Sequence, residues 1–182
     1  MSDTRVLVLV GSLRADSLNR KIAETLRAQA PEGVTVEIAE NLDALTFYTE
    51  DLDGENVPAA AAALRDQVTR ADRVLAVTPE YNGTMPAVLN NAIDWLSRPY
   101  GVGAIKGKPF GVVGATPTPY GGKWAHQDTA RSAGIAGAVV VEDVTVSQSA
   151  LEVDVLTDPE VLDRLRAAVQ TLVDYDAEAE AA

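Results

Sequence analysis

The chain has 182 residues and a mass of 19.2 kDa, the size of one domain, and its 47% hydrophobic and 23% charged residues exclude disorder for the body of the chain. Fifteen basic against 27 acidic residues give a net charge of −12 and a pI near 4.4, which disfavours nucleic acid and anionic membrane surfaces as partners. With no cysteine and with His126 as its single histidine, the sequence excludes disulfides, thiolate metal sites, cysteine nucleophiles and multi-histidine metal sites.

Arg5 to Val10 (RVLVLV) reads as the first strand, and Leu18, Ile22 and Leu26 then repeat at helical spacing, with Asp16 or Ser17 as cap. Val34 to Ile38 (VTVEI) is a second strand. Leu64, Val68 and Ala71 mark a second helix, with Pro58 suited to its first turn. Arg73 to Val77 (RVLAV) gives the third strand, Leu89, Ile93 and Leu96 the next helix, Pro109 to Val113 (PFGVV) the fourth strand and Val139 to Val146 (VVVEDVTV) the fifth. Leu162, Leu165, Val169 and Leu172 form a last helix opened by Asp158-Pro159-Glu160. Strands that alternate with one-sided helices predict an α/β fold, a doubly wound and mostly parallel five-stranded sheet with helices on both faces. One domain is expected over residues 1–173, followed by an acidic, disordered tail over 174–182. From Leu151 onward nine acids face Arg164 and Arg166, a net of −7, so more than half of the negative charge lies in the last helix and tail.

In such a sheet, with strand order 2-1-3-4-5, ligands bind at the carboxyl ends of the strands, between the first and third. The loop after the first strand reads Gly11-Ser12-Leu13-Arg14-Ala15-Asp16-Ser17-Leu18-Asn19. Hydroxyls, an amide, a guanidinium and the N–H groups of a helix N-terminus converge there, which suits a phosphate monoester. Helix capping alone accounts for Ser17 but not for Ser12 and Arg14 together. The loop is neither GxxxxGK[ST] nor GxGxxG with a following acid, which argues against a nucleoside triphosphate or dinucleotide site. The second loop, Thr78-Pro79-Glu80-Tyr81-Asn82-Gly83-Thr84-Met85-Pro86, is held stiff by two prolines and a glycine. It is either a rigid turn or a backbone surface that reads the edge of a planar ring. The third, Gly114-Ala115-Thr116-Pro117-Thr118-Pro119-Tyr120-Gly121-Gly122, is small and hydroxyl-bearing, a plain loop or a seat for a large ring.

Together these segments resemble the NAD(P)H-dependent FMN reductase family, the flavodoxin-like group that includes soluble quinone and chromate reductases. The resemblance lies in GSLRADSLN, TPEYNGTMPAVLNNAIDWLSRP, GKPFGVVGATP and LTDPEVLDRL, in order, over about residues 5–173. It implies FMN as cofactor and NADPH or NADH as electron donor, with hydride passing by way of the flavin to a quinone, free flavin or similar acceptor. It implies that Ser12, Arg14, Ser17 and Asn19 hold the FMN phosphate, with Leu18 also at the cofactor. Pro79, Glu80, Tyr81, Asn82 and Gly83 would border the isoalloxazine, and Thr116 would contact the flavin from the third loop. A homodimer or homotetramer is implied as well. Beyond Thr116 the chain departs from the family pattern at Tyr120, Lys123, Trp124 and His126.

His126 reads as a surface or packing residue rather than a proton donor to a quinone, and Trp95 as packing rather than a border of the flavin. Lys123 and Arg98 read as solvated charge rather than an attraction for a nicotinamide phosphate, and Glu80 as acting through its backbone and position. The alternative function is a flavodoxin-type FMN electron carrier that turns over no substrate, whose acidic surface would suit basic redox partners. Against it, the first loop lacks the Ser/Thr-x-Thr-Gly-x-Thr form of flavodoxins. No stretch is apolar enough for a membrane span and the start, MSDTRVLVLVGS, lacks the features of a signal peptide, so a cytoplasmic location is expected.

Overall fold

A computed structural model describes residues 3–176. Five strands, β1 (Thr4–Val10), β2 (Val34–Ile38), β3 (Arg73–Val77), β4 (Pro109–Thr116) and β5 (Val139–Ser149), form one sheet of order β2-β1-β3-β4-β5. Every neighbouring pair is parallel, as the expected doubly wound fold requires. The helices are α1 (Leu18–Ala28), α2 (Ala59–Arg70), α3 (Ala87–Leu96), α4 (Lys123–Ile135) and α5 (Pro159–Asp174).

Strand alternation divides the core in two. Val6, Val8 and Val10 of β1, with Leu75, Val77, Val113 and Ala115, pack on Ile22 and Leu26 of α1 and on Leu165, Val169 and Leu172 of α5. Leu7 and Leu9, with Val74, Ala76, Phe110 and Val112, face the other way onto Leu64 and Val68 of α2 and Leu89, Ile93 and Leu96 of α3. Each such aliphatic contributes about 1.5–3 kcal/mol by leaving water. Both faces are therefore buried, which explains the continuous apolar runs.

Two strands run further than their β-branched runs suggest. β4 continues through Thr116 because Gly114, Ala115 and Thr116 pair with Ser147, Gln148 and Ser149, which also extends β5. The third loop thus begins as strand. α4 was not among the predicted helical repeats, because its buried residues are Ala125, His126, Thr129 and Ala133. Small and polar side chains give no hydrophobic period. At the helix starts, Ser17 and Asp158 are N-caps whose side chains accept from Arg20 N and Val161 N, and Pro58 stands one place before the first turn of α2, at its N-cap. α5 runs through Asp174, and the carbonyl of Tyr175 accepts a 2.8 Å bond from Arg73 Nη2, so the chain is held two residues into the expected tail. Residues 177–182 of that tail lie outside the described residues.

The long connection between β2 and α2 is tied down from α3. Trp95, fully buried as expected of a packing residue, donates Nε1–H to Thr46 O at 2.8 Å and meets the Tyr48 ring edge-on at 5.1 Å. Arg98 lies over the same Tyr48 ring, 5.5 Å from its centroid, so its charge is directed to this connection.

Candidate functional site

The carboxyl ends of β1, β3 and β4 are adjacent, so the segments that follow them share one edge of the sheet where the strand order reverses. Missing side chains make that closeness possible. A Cβ on Gly11 would lie 2.2 Å from Thr78 Oγ1, and one on Gly114 would lie 2.1 Å from the Thr78 carbonyl oxygen.

The first segment leads into the N-terminus of α1. Ser17 Oγ accepts from Arg20 N at 3.2 Å, which satisfies one donor of the first turn. The N–H groups of Ser12, Leu13 and Arg14, and of Leu18 and Asn19 in the helix, have no hydrogen-bond partner among the described residues. The charges nearby are unequally committed. Lys21 pairs with Asp16 and Arg20 with Glu24 at 3.2 Å, while exposed Arg14 enters none of the ion pairs among the described residues. The hydrogen bond and charge of Lys21 hold the Asp16 carboxyl below its usual pKa, so the loop's one acid stays ionised beside a cation. What remains is the Arg14 guanidinium, outside the ion pairs and acting on Asp16 only through its charge, with the Ser12 hydroxyl and open N–H groups at a helix N-terminus. That donor set fits a phosphate monoester.

Asn19 departs from its implied role. It is buried, its Nδ2 donates to Ala115 O at 2.9 Å, and its Oδ1 accepts from Ala115 N at 3.0 Å. Its amide therefore fastens α1 to β4, leaving the backbone N–H as what it can offer a ligand. Half-buried Leu18 likewise packs its side chain against the core and has only its N–H to present.

The second segment is laced to α4. Tyr81 and Thr84 exchange backbone hydrogen bonds of 3.0 and 3.1 Å around Asn82 and Gly83, whose φ values of 54° and 74° make a type I′ turn. Pro79 is buried, whereas Tyr81, Asn82 and Gly83 are exposed. Glu80 has a side-chain role that the sequence did not show: Oε2 accepts from Trp124 N and Ala125 N, both at 3.0 Å, and so caps α4. Thr84 Oγ1 donates to Asp128, and this bond with that of Arg131 lowers the Asp128 pKa. His126 is neither a surface nor a simple packing residue. It is buried, with its ring nitrogens 3.1 Å from Thr78 O and 2.8 Å from Ser147 Oγ.

In the third segment Thr116 is buried at the end of β4, its hydroxyl 2.9 Å from that of Thr118. Exposed Tyr120 and Trp124 follow, with ring centroids 4.5 Å apart, and Lys123 is exposed beside them. Sequence reasoning missed Asp128 and Ser147, and it noted Thr78 only as a loop member. All three act across long sequence separations that no local pattern reports.

A parallel sheet of order 2-1-3-4-5, with an open helix N-terminus and a stiff clasped segment at its switch point, defines a flavodoxin-like α/β protein whose switch point can take a phosphate-bearing ligand. The profile of the NADPH-dependent FMN reductase family matches residues 4–151. A quinone reductase of Pseudomonas putida is 46% identical over 127 residues, covering 70% of this chain and 68% of that protein. A 2-hydroxy-1,4-benzoquinone reductase of Burkholderia sp. is 41% identical over 112 residues, 62% of this chain and 60% of that protein. Among solved structures, FerB, a flavoenzyme NAD(P)H:(acceptor) oxidoreductase from Paracoccus denitrificans, superposes with a TM-score of 0.83 at 33% identity, covering 94% of this chain and 96% of FerB. The chain belongs to the NADPH-dependent FMN reductase family. It is an NAD(P)H-dependent oxidoreductase whose cofactor is FMN. No described helix is long and apolar enough to cross a membrane.

Proposed function

We propose that the chain passes hydride from NADPH or NADH, by way of bound FMN, to a quinone, a free flavin or a similar small oxidised acceptor. The observation that carries this reading is the open N-terminus of α1 with its unpaired Arg14, beside the clasped segment Pro79–Gly83, in a relative of two quinone reductases. FMN, when bound, supplies the two-electron chemistry. The chain supplies the rest. Ser12, Arg14, Ser17 and the N–H groups of Leu18 and Asn19 hold the phosphate; Pro79, Glu80, Tyr81, Asn82 and Gly83 border the isoalloxazine; Thr116 meets it from the end of β4. Direct hydride transfer asks no side chain for an obligatory proton.

Residues 1–173 serve as one FMN-binding unit, working in the cytoplasm as a homodimer or homotetramer. Tyr100 and Ile135, 90% and 77% exposed, line a groove of about 490 Å³ between α3 and α4 and supply apolar surface for a second copy. The test is stopped-flow mixing of FMN-loaded protein with NADPH and with NADH. Bleaching of the oxidised flavin band, reversed by a benzoquinone, is expected. No bleaching with either nucleotide would leave the electron-carrier function instead.

A further inference from the structure

His126 has no part in the chemistry proposed above, yet it is the chain's only histidine and is 1% exposed in the first turn of α4. A carbonyl oxygen only accepts, so the bond to Thr78 O puts the ring proton on Nε2, and Nδ1 then accepts the Ser147 hydroxyl proton. Burial pushes the pKa of the imidazole down, in keeping with this neutral form, although the bond to the Thr78 carbonyl and, less, the Glu80 charge oppose the shift. Room for the ring comes from two separate elements: a Cβ on Gly114 would stand 3.0 Å from Nε2, and one on Gly122 would stand 3.1 Å from it.

The carbonyl so held belongs to the residue before Pro79. Thr78 Oγ1 in turn donates to Pro79 O at 3.0 Å, so both carbonyls preceding Glu80 are fixed, while Glu80 N–H has no partner among the described residues. Glu80 and Thr84 already tie this segment to α4 through Trp124, Ala125 and Asp128. The histidine bond therefore adds little to connectivity and sets one thing, the orientation of the Thr78–Pro79 peptide.

We infer that His126 is a positioning residue for the isoalloxazine-bordering segment: its Nε2–H holds the Thr78 carbonyl inward, and the Ser147 hydroxyl, donating to Nδ1, steadies the ring that does so. The inference rests on the FMN-reductase reading above. Its test separates the two ring nitrogens. Gln at 126 carries an amide nitrogen at the reach of Nε2, whereas the amide of Asn stops at the reach of Nδ1. FMN is titrated into apoprotein of wild type, His126→Gln, His126→Asn and Ser147→Ala, with the flavin midpoint potential of each holoprotein and the Tm of each apoprotein measured alongside. His126→Asn should weaken FMN binding about tenfold and shift the potential, and His126→Gln should bring both close to wild type even where its Tm matches that of His126→Asn. Gln and Asn variants equally weak, both unchanged, or losses that follow Tm alone would overturn the inference. Should His126→Asn not fold, Ser147→Ala keeps the imidazole and its Nε2–H but removes the hydroxyl that anchors Nδ1. A weaker affinity and a shifted potential are then expected, and wild-type values would overturn the role. Wild-type protein that fails to bind FMN would instead overturn the reading on which the inference rests.

Discussion

At the amino-terminal edge of the sheet, Arg73 at the start of β3 donates to the carbonyls of Leu172, Val173 and Tyr175, and Lys108 beside β4 donates to those of Thr69 and Ala71. The last turns of α5 and α2 are thereby closed by cations, as exposed carbonyls and the helix dipole favour. At the carboxyl-terminal edge the helices present their N-termini instead, and the sequence treats two of them differently. Glu80 closes α4, while α1 keeps N–H groups without partners next to an unpaired Arg14. The difference teaches how a chain of net charge −12 can bind an anion. Arg73 and Lys108 at one edge are consumed by the fold, and at the other Arg14 and a helix terminus are left available.

The strongest way to break this contrast is to fill the space where the carboxyl-terminal segments meet. Gly114→Ala places a Cβ 2.1 Å from Thr78 O and 2.8 Å from Asn19 Oδ1, so it should lower stability by about 3 kcal/mol and abolish FMN retention together. Urea unfolding and cofactor content check both. Arg73→Ala, at the opposite edge, should cost about 2 kcal/mol of stability with FMN affinity unchanged, since its bonds serve only the end of α5 and its neighbourhood. A loss of FMN affinity there would erase the division between the two edges. Ser17→Ala combines both effects on a smaller scale, removing the α1 cap for about 1 kcal/mol and weakening FMN binding through the lost hydroxyl. Thermal unfolding of the apoprotein with a parallel FMN titration separates the two.

The smallest effect concerns pH. The folded-state pKa of His126 lies below its ordinary 6.5, so the unfolded chain binds the proton first and stability falls as pH drops from about 7 through that range. Glu80 is the charged group that faces the ring, and its attraction for the imidazolium limits the slope. With no second histidine to titrate in this window, His126→Gln should flatten the stability profile between about pH 7 and 5.5, as measured by urea midpoints.

The sheet was legible because β-branched runs such as RVLVLV and RVLAV are buried on both faces, and α1, α3 and α5 because their apolar residues repeat along one side. α4 was not, since its inner face is Ala125, His126, Thr129 and Ala133. Ser12, Arg14 and Ser17 could be singled out as candidate phosphate donors because their residue types fall together within nine residues. The side-chain bonds of Asn19, Glu80 and His126 were not legible for one reason. Their partners, Ala115, the N-terminus of α4, Thr78 and Ser147, lie 21 to 96 residues away, and only the folded chain brings them together.

The central claim is that the open terminus of α1 recognises a phosphate. Comparing the affinities of the apoprotein for FMN and for riboflavin, in wild type and in Arg14→Ala, isolates that group. Wild type should prefer FMN by at least about a hundredfold, and Arg14→Ala should lose about tenfold or more of that preference while binding riboflavin as before and unfolding at the same temperature. Equal affinity of wild type for FMN and riboflavin, or a preference that survives Arg14→Ala intact, would contradict it.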